Sequence, residues 1–597
     1  MAQQPHVIYH SPQHGSTRPL RFNMTNAEYL ARYLQARGVT HVHELIGGMI
    51  TFLLDALHQQ TDVKIVSMHH EQGSAFAAEG WARMKGIPGV AMATSGPGAT
   101  NLLTAIGSCY FDSVPTVFIT GQVNRHEQKG QKPIRQLGFQ ETDIVSMARP
   151  ITKAAWLVNT PDDLPRILDE AFALALDGRP GPVLIDIPMD VQRHALPESV
   201  QVSFTQPPAR PVDPIGRTAF LAELASALAS AQKPLVLAGG GLRSGQAVEP
   251  FRALIDHLKI PVVHSLMAVD VLPSDHPLRF GMIGSYGNRW SNLGFGQSDL
   301  VLVLGSRLDI RQTGSDLAGF SSTRRFFHLD CDSNELNHRV TGCTTWAEPL
   351  GTFLPAARDA LPAEAGARPA WQAELEQLRL QWPDTRELLT ANGINPNGFM
   401  HALSRHTPYA TAYIADVGQH QMWAAQSLDL HKNQRFMTSG GMGAMGFALP
   451  AGIGACLASG PVVVIAGDGG FQLNIQELQT IARNHLPVKI VVINNHCHGM
   501  VRQFQESYFK GRYQSTLWGY DAPDFVKVAQ AYGIDASRVE HPDAIEAALE
   551  QLSAEPQKTY LLEVVLDTMT NAYPKLAFGQ KFGEMEPMVK PLEMEGT

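Results

Sequence analysis

Cysteine is scarce in this chain of 597 residues: Cys109, Cys331, Cys343, Cys456 and Cys497 are scattered, odd in number and without CxxC spacing. That excludes a disulfide framework and a cysteine zinc site and leaves five reduced thiols. Charge is thin as well. Only 17% of positions are charged, 47 basic against 56 acidic for a net −9, and no basic run interleaves with aromatics, which excludes nucleic acid as a partner. Nor does any stretch approach the ~20 uninterrupted apolar residues of a membrane helix. The opening Met1 to His6 lacks a basic region followed by an apolar core, so a soluble, cytoplasmic protein is expected. What the chain has is apolar surface, 44% of its residues, enough for several cores and three domains.

Apolar β-branched runs alternate with Ala- and Leu-rich amphipathic segments throughout, the pattern of repeated β-α units around parallel sheets flanked by helices, so the class is α/β. Two stretches interrupt it: Leu196 to Pro214, with five prolines, and the charged, helical-looking Leu361 to Asn395. They divide the chain into units at 22–191, 215–361 and 396–569, with a tail at 570–597 that is either an ordered arm or a loose end. The first and third units share one plan, a glycine-rich segment (Ser95 to Gly98, Ser439 to Gly443) leading into an Ala/Gly-rich helix.

The most specific signal begins at Val462, where an apolar β run enters Gly467-Asp468-Gly469-Gly470 and a helix is expected over Asn474 to His485. Glycines at such a turn allow close backbone approach, and the N–H groups that follow suit an anionic phosphate. With twenty-four residues between Gly469 and Asn494, a second β run delivers Asn494-Asn495, so both strand ends are expected side by side at the carboxyl edge of one sheet. The Asp468 carboxylate, the Asn495 amide oxygen, a backbone carbonyl, two diphosphate oxygens and water make the all-oxygen set that Mg2+ prefers. Alone, either motif reads as an ordinary Asx turn; their spacing and strand context make a site.

With these motifs the chain resembles the thiamine diphosphate-dependent enzymes, in particular the acetolactate synthase large subunits, over nearly its whole length. The resemblance implies three α/β domains binding pyrimidine, nucleotide and diphosphate, with thiamine diphosphate as cofactor. It implies Asp468, Asn495 and the carbonyl of Cys497 as magnesium ligands. Glu71, in His69-His-Glu-Gln-Gly73, resembles the glutamate that activates the cofactor. A carboxyl group enclosed among apolar neighbours can share a proton with a ring nitrogen. By itself Glu71 reads as a carboxylate in a first helical turn; Thr94 to Asn101 beside it supports the functional role. By the same resemblance Met445 is the wedge beneath the bent cofactor, and Gly443 offers a carbonyl to its amino group. Gln419 and His420 approach the diphosphate, and Gly47, Pro97 and Met500 line the cofactor site. Gln140 and His498 are implied as catalytic contacts to intermediates. Since family members bring the glutamate of one subunit to the metal site of another, a homodimer at minimum, and a homotetramer beyond it, is expected.

The second unit carries Val236 to Leu242 and further segments that resemble the FAD-holding parts of flavin-containing relatives. Gly240, Gly241, Arg307, Arg311 and Asp330 are the candidate flavin residues, against the alternative of a domain that keeps the fold and binds no dinucleotide. Departures from the family pattern collect on the acceptor side. Asn124 to Leu137 carries four basic residues and a histidine in place of a shorter segment; Glu44 adds a carboxylate to a loop lacking the usual proline; Phe504 replaces a tryptophan; and Ile310 replaces an acid before Arg311. Phe139, Arg311 and Phe504 are the candidate substrate residues. The expected reaction is decarboxylation of a 2-oxo acid donor, pyruvate first, and carboligation to an acceptor carbonyl. A 2-hydroxyacyl-CoA or oxalyl-CoA lyase, and a silent regulatory or scaffold homologue, are the competing expectations.

Overall fold

The computed structural model describes residues 24–204, 211–389 and 392–595. The opening Met1 to His6, Phe22 at the start of the first unit, positions 205–210 of the proline-rich linker, 390–391 of the second linker and the last two residues of the tail lie outside the described residues.

Three six-stranded sheets, every pairing in them parallel, organise the chain. The first holds β1 (His41–Leu45), β2 (Lys64–Ser67), β3 (Gly89–Ala93), β4 (Thr116–Gln122), β5 (Ala154–Leu157) and β6 (Pro182–Pro188) in the order β2-β1-β3-β4-β6-β5. The second holds β7 (Pro234–Ala238), β8 (Val262–His264), β9 (Arg279–Met282), β10 (Leu300–Leu304), β11 (Arg325–Asp330) and β12 (Thr344–Ala347) in the order β12-β11-β10-β7-β8-β9. In the third are β13 (Ala412–Ala415), β14 (Arg435–Met437), β15 (Val462–Gly467), β16 (Val488–Asn494), β17 (Ala536–Val539) and β18 (Tyr560–Val565), ordered β14-β13-β15-β16-β18-β17. Central strands such as Leu300–Leu304 are apolar without alternation because helices cover both faces.

Counted within its unit, the third sheet repeats the order of the first, so the shared plan legible in the glycine motifs is a shared topology. The middle sheet instead has the doubly wound order of dinucleotide-binding sheets, whose reversal falls between β7 and β10. Ligands bind such sheets at the carboxyl end of the reversal, where the glycine-rich turns after β3, β7 and β15 lie, while Ser439 to Gly443 follows the edge strand β14.

The first and third units meet along two helices, Glu71–Lys85 and Ala448–Ser459, whose backbones touch. A Cβ on Gly80 would lie 2.0 Å from the Ala451 carbonyl oxygen, and one on Gly454 1.8 Å from that of Ala77. Only glycine allows this approach. The tail is an arm rather than a loose end over its described length: Leu576 N donates to Ser285 O at 2.8 Å, and Lys575–Leu576 pairs antiparallel with Met585–Glu586.

One local expectation fails. The helix expected over Asn474 to His485 is instead broken, and helical structure starts at Asp468 itself: Asp468–Leu473, a short 3-10 turn at Ile475–Glu477, then Leu478–Arg483. Gly469 and Gly470 lower intrinsic helix preference and hid the first turn, whereas burial of Asp468 through Phe471 against the sheet edge holds it.

Candidate active site

The parallel pairing of β15 with β16 sets Gly467 opposite Ile493, so Asp468 and Asn494-Asn495 emerge together from adjacent strand ends. Both Asp468 and Asn495 are buried. The Asn495 amide nitrogen donates to Gln419 Oε1 at 3.1 Å, and Gln419 Nε2 donates onward to Gln503 Oε1 at 3.0 Å. With its N–H committed, Asn495 has its amide oxygen left as an acceptor. Asp468 Oδ2 is buried with no partner, and burial pushes the carboxyl up to about 7 against the opposing hydrogen bond from Tyr520. A buried, half-satisfied carboxylate is costly unless a cation meets it.

Backbone crowding shapes the rest of this edge. A Cβ on Gly467 would stand 2.8 Å from His420 Nδ1, and one on Gly469 2.6 Å from His498 Cε1. His420 is neutral, since burial lowers its pKa to about 3, and its Nε2 has no partner. Burial also lowers His498, whose ring lies 4.4 Å from that of Tyr520. Gly470 packs against Asp416, which accepts from Gly446 N and Ala448 N at 3.0 Å each and so fixes the end of the loop carrying Gly443 and Met445. Gly443 has φ +66° with no atom near its missing Cβ, and Met445 is half-buried. Met500 packs against the third unit's core from the helix Gly499–Tyr508. Cys497 is buried, its thiol pushed up by burial to about 11, which leaves its backbone rather than its sulfur suited to a ligand role.

Within the described residues no three His, Cys, Asp or Glu side chains cluster as a metal cage. The donors at hand are one carboxylate, one amide and a carbonyl. That set fits a hard cation sharing its shell with phosphate oxygens and does not fit zinc.

A second group forms at the carboxyl edge of the first sheet. Glu71 opens its helix directly after β2, is buried, and accepts from Asn101 Nδ2 at 2.9 Å. Gly98 leaves room for it: a Cβ there would fall 3.2 Å from Glu71 Oε1. Gly47 packs on Thr94, and Pro97 starts the short helix beside Gly96. Gln140 lies against Gly96 and holds φ +64°, a left-handed conformation rarely seen outside glycine. Its loop is pinned by Glu141, which accepts from Lys129 N and Leu137 N, and by Gln122, which bridges Thr142 O and Asp186. Phe139 beside it is 80% exposed. Among the described residues no hydrogen bond or ion pair joins Glu71 or Gln140 to Asp468, Asn495 or His498.

The five residues singled out in the middle unit converge. Gly240, Gly241, Arg307, Arg311 and Asp330 all line one cleft, bounded also by Arg83, Arg179, Arg243 and Arg435. Gly241 and Gly305, from the turns after β7 and β10, pack backbone on backbone. Phe504 stays outside this group, half-buried against Tyr508 at 4.8 Å, while Ile310 is 54% exposed next to Arg311.

Sequence reasoning missed Tyr520 and Gln503, and placed Asn101 in the segment beside Glu71 without giving it a role. Gln503 follows Met500 by three residues on one helix and was findable by periodicity; Tyr520 sits in irregular chain and carried no signal.

Three family models match in chain order: the thiamine pyrophosphate enzyme N-terminal TPP binding domain over 24–147, the central domain over 221–355 and the C-terminal TPP binding domain over 416–564. Among curated proteins the chain is 37% identical to acetolactate synthase isozyme 2 large subunit of Escherichia coli (strain K12), covering 94% of this chain and 99% of that protein. It is 36% identical to the acetolactate synthase large subunit of Corynebacterium glutamicum, over 98% and 93% respectively. To the chloroplastic acetolactate synthase 2 of Nicotiana tabacum it is 36% identical, over 94% and 84%.

Proposed function

The chain belongs to the thiamine pyrophosphate enzymes, as a relative of the acetolactate synthase large subunits, and from that premise we propose that it decarboxylates a 2-oxo acid, pyruvate first, and ligates the acyl unit to an acceptor carbonyl. The observation that carries the reading is the unpartnered, buried Asp468 Oδ2 beside Asn495, at two neighbouring strand ends.

In this reading Asp468, Asn495 and the Cys497 carbonyl hold Mg2+, and the glycines at 467, 469 and 470 admit the diphosphate. The bound cofactor supplies a carbanion-stabilising centre for chemistry next to a carbonyl. This chain's own residues do the remainder. Gln419 fixes the Asn495 amide nitrogen and so leaves its oxygen for the cation it would hold. His420, neutral and with a free ring nitrogen, would donate to a phosphate oxygen without adding charge. Glu71, held by Asn101, would share a proton with the pyrimidine ring, and Gly443 and Met445 would shape its seat. Gln140 and His498 make polar contacts to the reacting groups.

By likeness to the family we assign each site to two copies, a homodimer at minimum and a homotetramer beyond it; among the described residues no hydrogen bond or ion pair joins Glu71 to Asp468 within one chain. The middle-unit cleft supports FAD: its sheet order, its paired glycine turns and Arg307 and Arg311 in its lining suit a dinucleotide diphosphate. Such a flavin is structural, since the reaction has no net redox change. Five free cysteines support a reducing compartment, the cytoplasm, and among the described residues no helix is long and apolar enough to cross a membrane. The altered acceptor side, Phe504 and Ile310 with the basic loop before Gln140, points to a partner other than a second pyruvate, such as an aldehyde or a keto-sugar.

Mass spectrometry of products from enzyme, cofactor, Mg2+ and pyruvate with a panel of aldehydes, ketones and keto acids tests this. Carbon dioxide release with one preferred ligation product is expected. Neither carbon dioxide nor any adduct would rule out pyruvate as donor.

A further inference from the structure

We propose that Asp112, on the first unit, is a positioning residue for the cofactor loop of the third unit. The proposal rests on the reading of Gly443 and Met445 as cofactor contacts. Asp112 closes the helix Leu103–Asp112, and its side chain is 1% exposed. One carboxylate oxygen accepts Gly440 N at 2.9 Å and the other accepts Gly441 N at 2.7 Å, across more than 300 residues of sequence. Two consecutive amides captured by two oxygens fix the peptide's orientation as well as its place.

Arg83 aims that carboxylate. Its Nη2 donates to Asp112 Oδ2 at 2.9 Å and to Glu79, and its Nη1 donates to Thr438 O at 3.0 Å, so the same guanidinium holds both the tether and the residue before the loop. Ser108 reaches Ser439 at 3.3 Å, and Ser439 in turn accepts from Ala444 N at 3.2 Å. Glycine leaves little alternative at 441, whose neighbour is Phe111 Cβ, whereas 440 faces the flexible end of Met267. A Cβ on Gly440 would lie 2.3 Å from Met267 Sδ, and one on Gly441 2.7 Å from Phe111 Cβ.

At its far end the loop is fixed by Asp416 and by Asn474, which donates to Gly446 O at 2.7 Å. Gly443 and Met445 therefore hang between two anchors, one from their own unit and one from the first. The second anchor is Asp112. It touches neither metal ligands nor the diphosphate turn, so its contribution is to the seat of the pyrimidine and not to the hold on phosphate.

Asp112→Asn turns one acceptor into a donor facing a backbone N–H and Arg83, and Asp112→Glu keeps both acceptors. In the full-length protein without cofactor, amide exchange over 439–446 is expected to rise about tenfold in Asp112→Asn, the equivalent of one lost charged hydrogen bond. The helix Gln419–Ser427 stays as in the parent protein. With saturating thiamine diphosphate and Mg2+, exchange of the cofactor's C2 proton is expected to slow about tenfold while the cofactor Kd moves less than about threefold, and Asp112→Glu is expected to recover most of that rate. Unchanged exchange over 439–446, a uniform rise across the whole chain, or loosening with an unchanged C2-proton rate would each overturn the assignment. Failure of the parent protein to exchange the C2 proton would sink the cofactor reading instead, and the amide exchange would still decide the tether.

Discussion

Replacing Gly454 by alanine reverses the usual sign of a helix substitution. In an open helix, glycine to alanine gains up to ~1 kcal/mol from propensity and lost chain entropy. At Gly454 the added Cβ lies 1.8 Å from the Ala77 carbonyl oxygen, against a floor of about 3.0 Å, so the two helices must part by about 1.2 Å. Overpacking of this kind costs ~1–3 kcal/mol or more, and here both sides of the contact are backbone and cannot rotate away. Set against the propensity gain, the net loss is about 2 kcal/mol. Gly351, exposed near the start of Leu350–Ala360 with no atom closer than 3.8 Å to its missing Cβ, is the control and is expected to gain up to ~1 kcal/mol as alanine. Urea unfolding followed by tryptophan fluorescence measures both. Because the same helix pair carries Glu71 at one end and leads away from Gly443 and Met445 at the other, Gly454→Ala also weakens cofactor binding in calorimetry. A Gly454→Ala protein as stable as its parent, with Gly351→Ala behaving as expected, would refute the backbone contact.

Other consequences are open to equally direct measurement. Asp468→Asn removes the charge that meets the cation, and a loss of about 3 kcal/mol, or a hundredfold in Kd for thiamine diphosphate with Mg2+, is expected by calorimetry; a change under threefold would contradict the metal assignment. The purified protein is expected to show a flavin absorbance spectrum, with Arg307→Ala retaining about a tenth of it; a colourless parent protein would leave the cleft to another ligand. His401 lies 2.9 Å from both Asp384 and Asp429, and their hydrogen bonds and charges outweigh its burial to lift its pKa from 6.5 to about 10. A raised folded-state pKa means that this stabilisation, about 2 kcal/mol, is complete below pH 6.5 and lost as pH climbs through 10. Unfolding midpoints of His401→Gln should therefore fall below the parent at pH 6 and converge on it above pH 10, and a constant gap would argue against the ion triad.

The parts of the site legible in the sequence are those written in contiguous residues at strand ends. Gly467 to Gly470, Asn494-Asn495 and the glycines after β7 each declare a turn, and parallel sheets place such turns on one edge. Glu71 was legible only with its neighbours, because a carboxylate in a first helical turn is ordinary by itself. What stayed hidden depends on tertiary contact. Gly440 belongs to a legible glycine-rich segment, but Asp112 is distant in sequence and nothing local marks it as the partner; Tyr520 reaches Asp468 from irregular chain. The early helical start at Asp468 was masked by two glycines whose propensity cost the sheet edge overrides. The tail, with no periodicity to read, is ordered by single contacts such as Leu576 to Ser285 and the capture of Ala572 by Gln503.

An active site assembled from Glu71 of one copy and Asp468 of another is the claim on which the rest depends. Coexpressing Glu71→Gln and Asp468→Asn chains and measuring C2-proton exchange of bound thiamine diphosphate tests it without any assumption about substrate. With random assembly, about one quarter of the sites draw an intact Glu71 from one chain and an intact Asp468 from the other. The mixture should therefore recover about a quarter of the parent rate, although each variant alone is inactive. No recovery, in mixed assemblies confirmed by two affinity tags, would place both residues in the same chain's site and contradict the account.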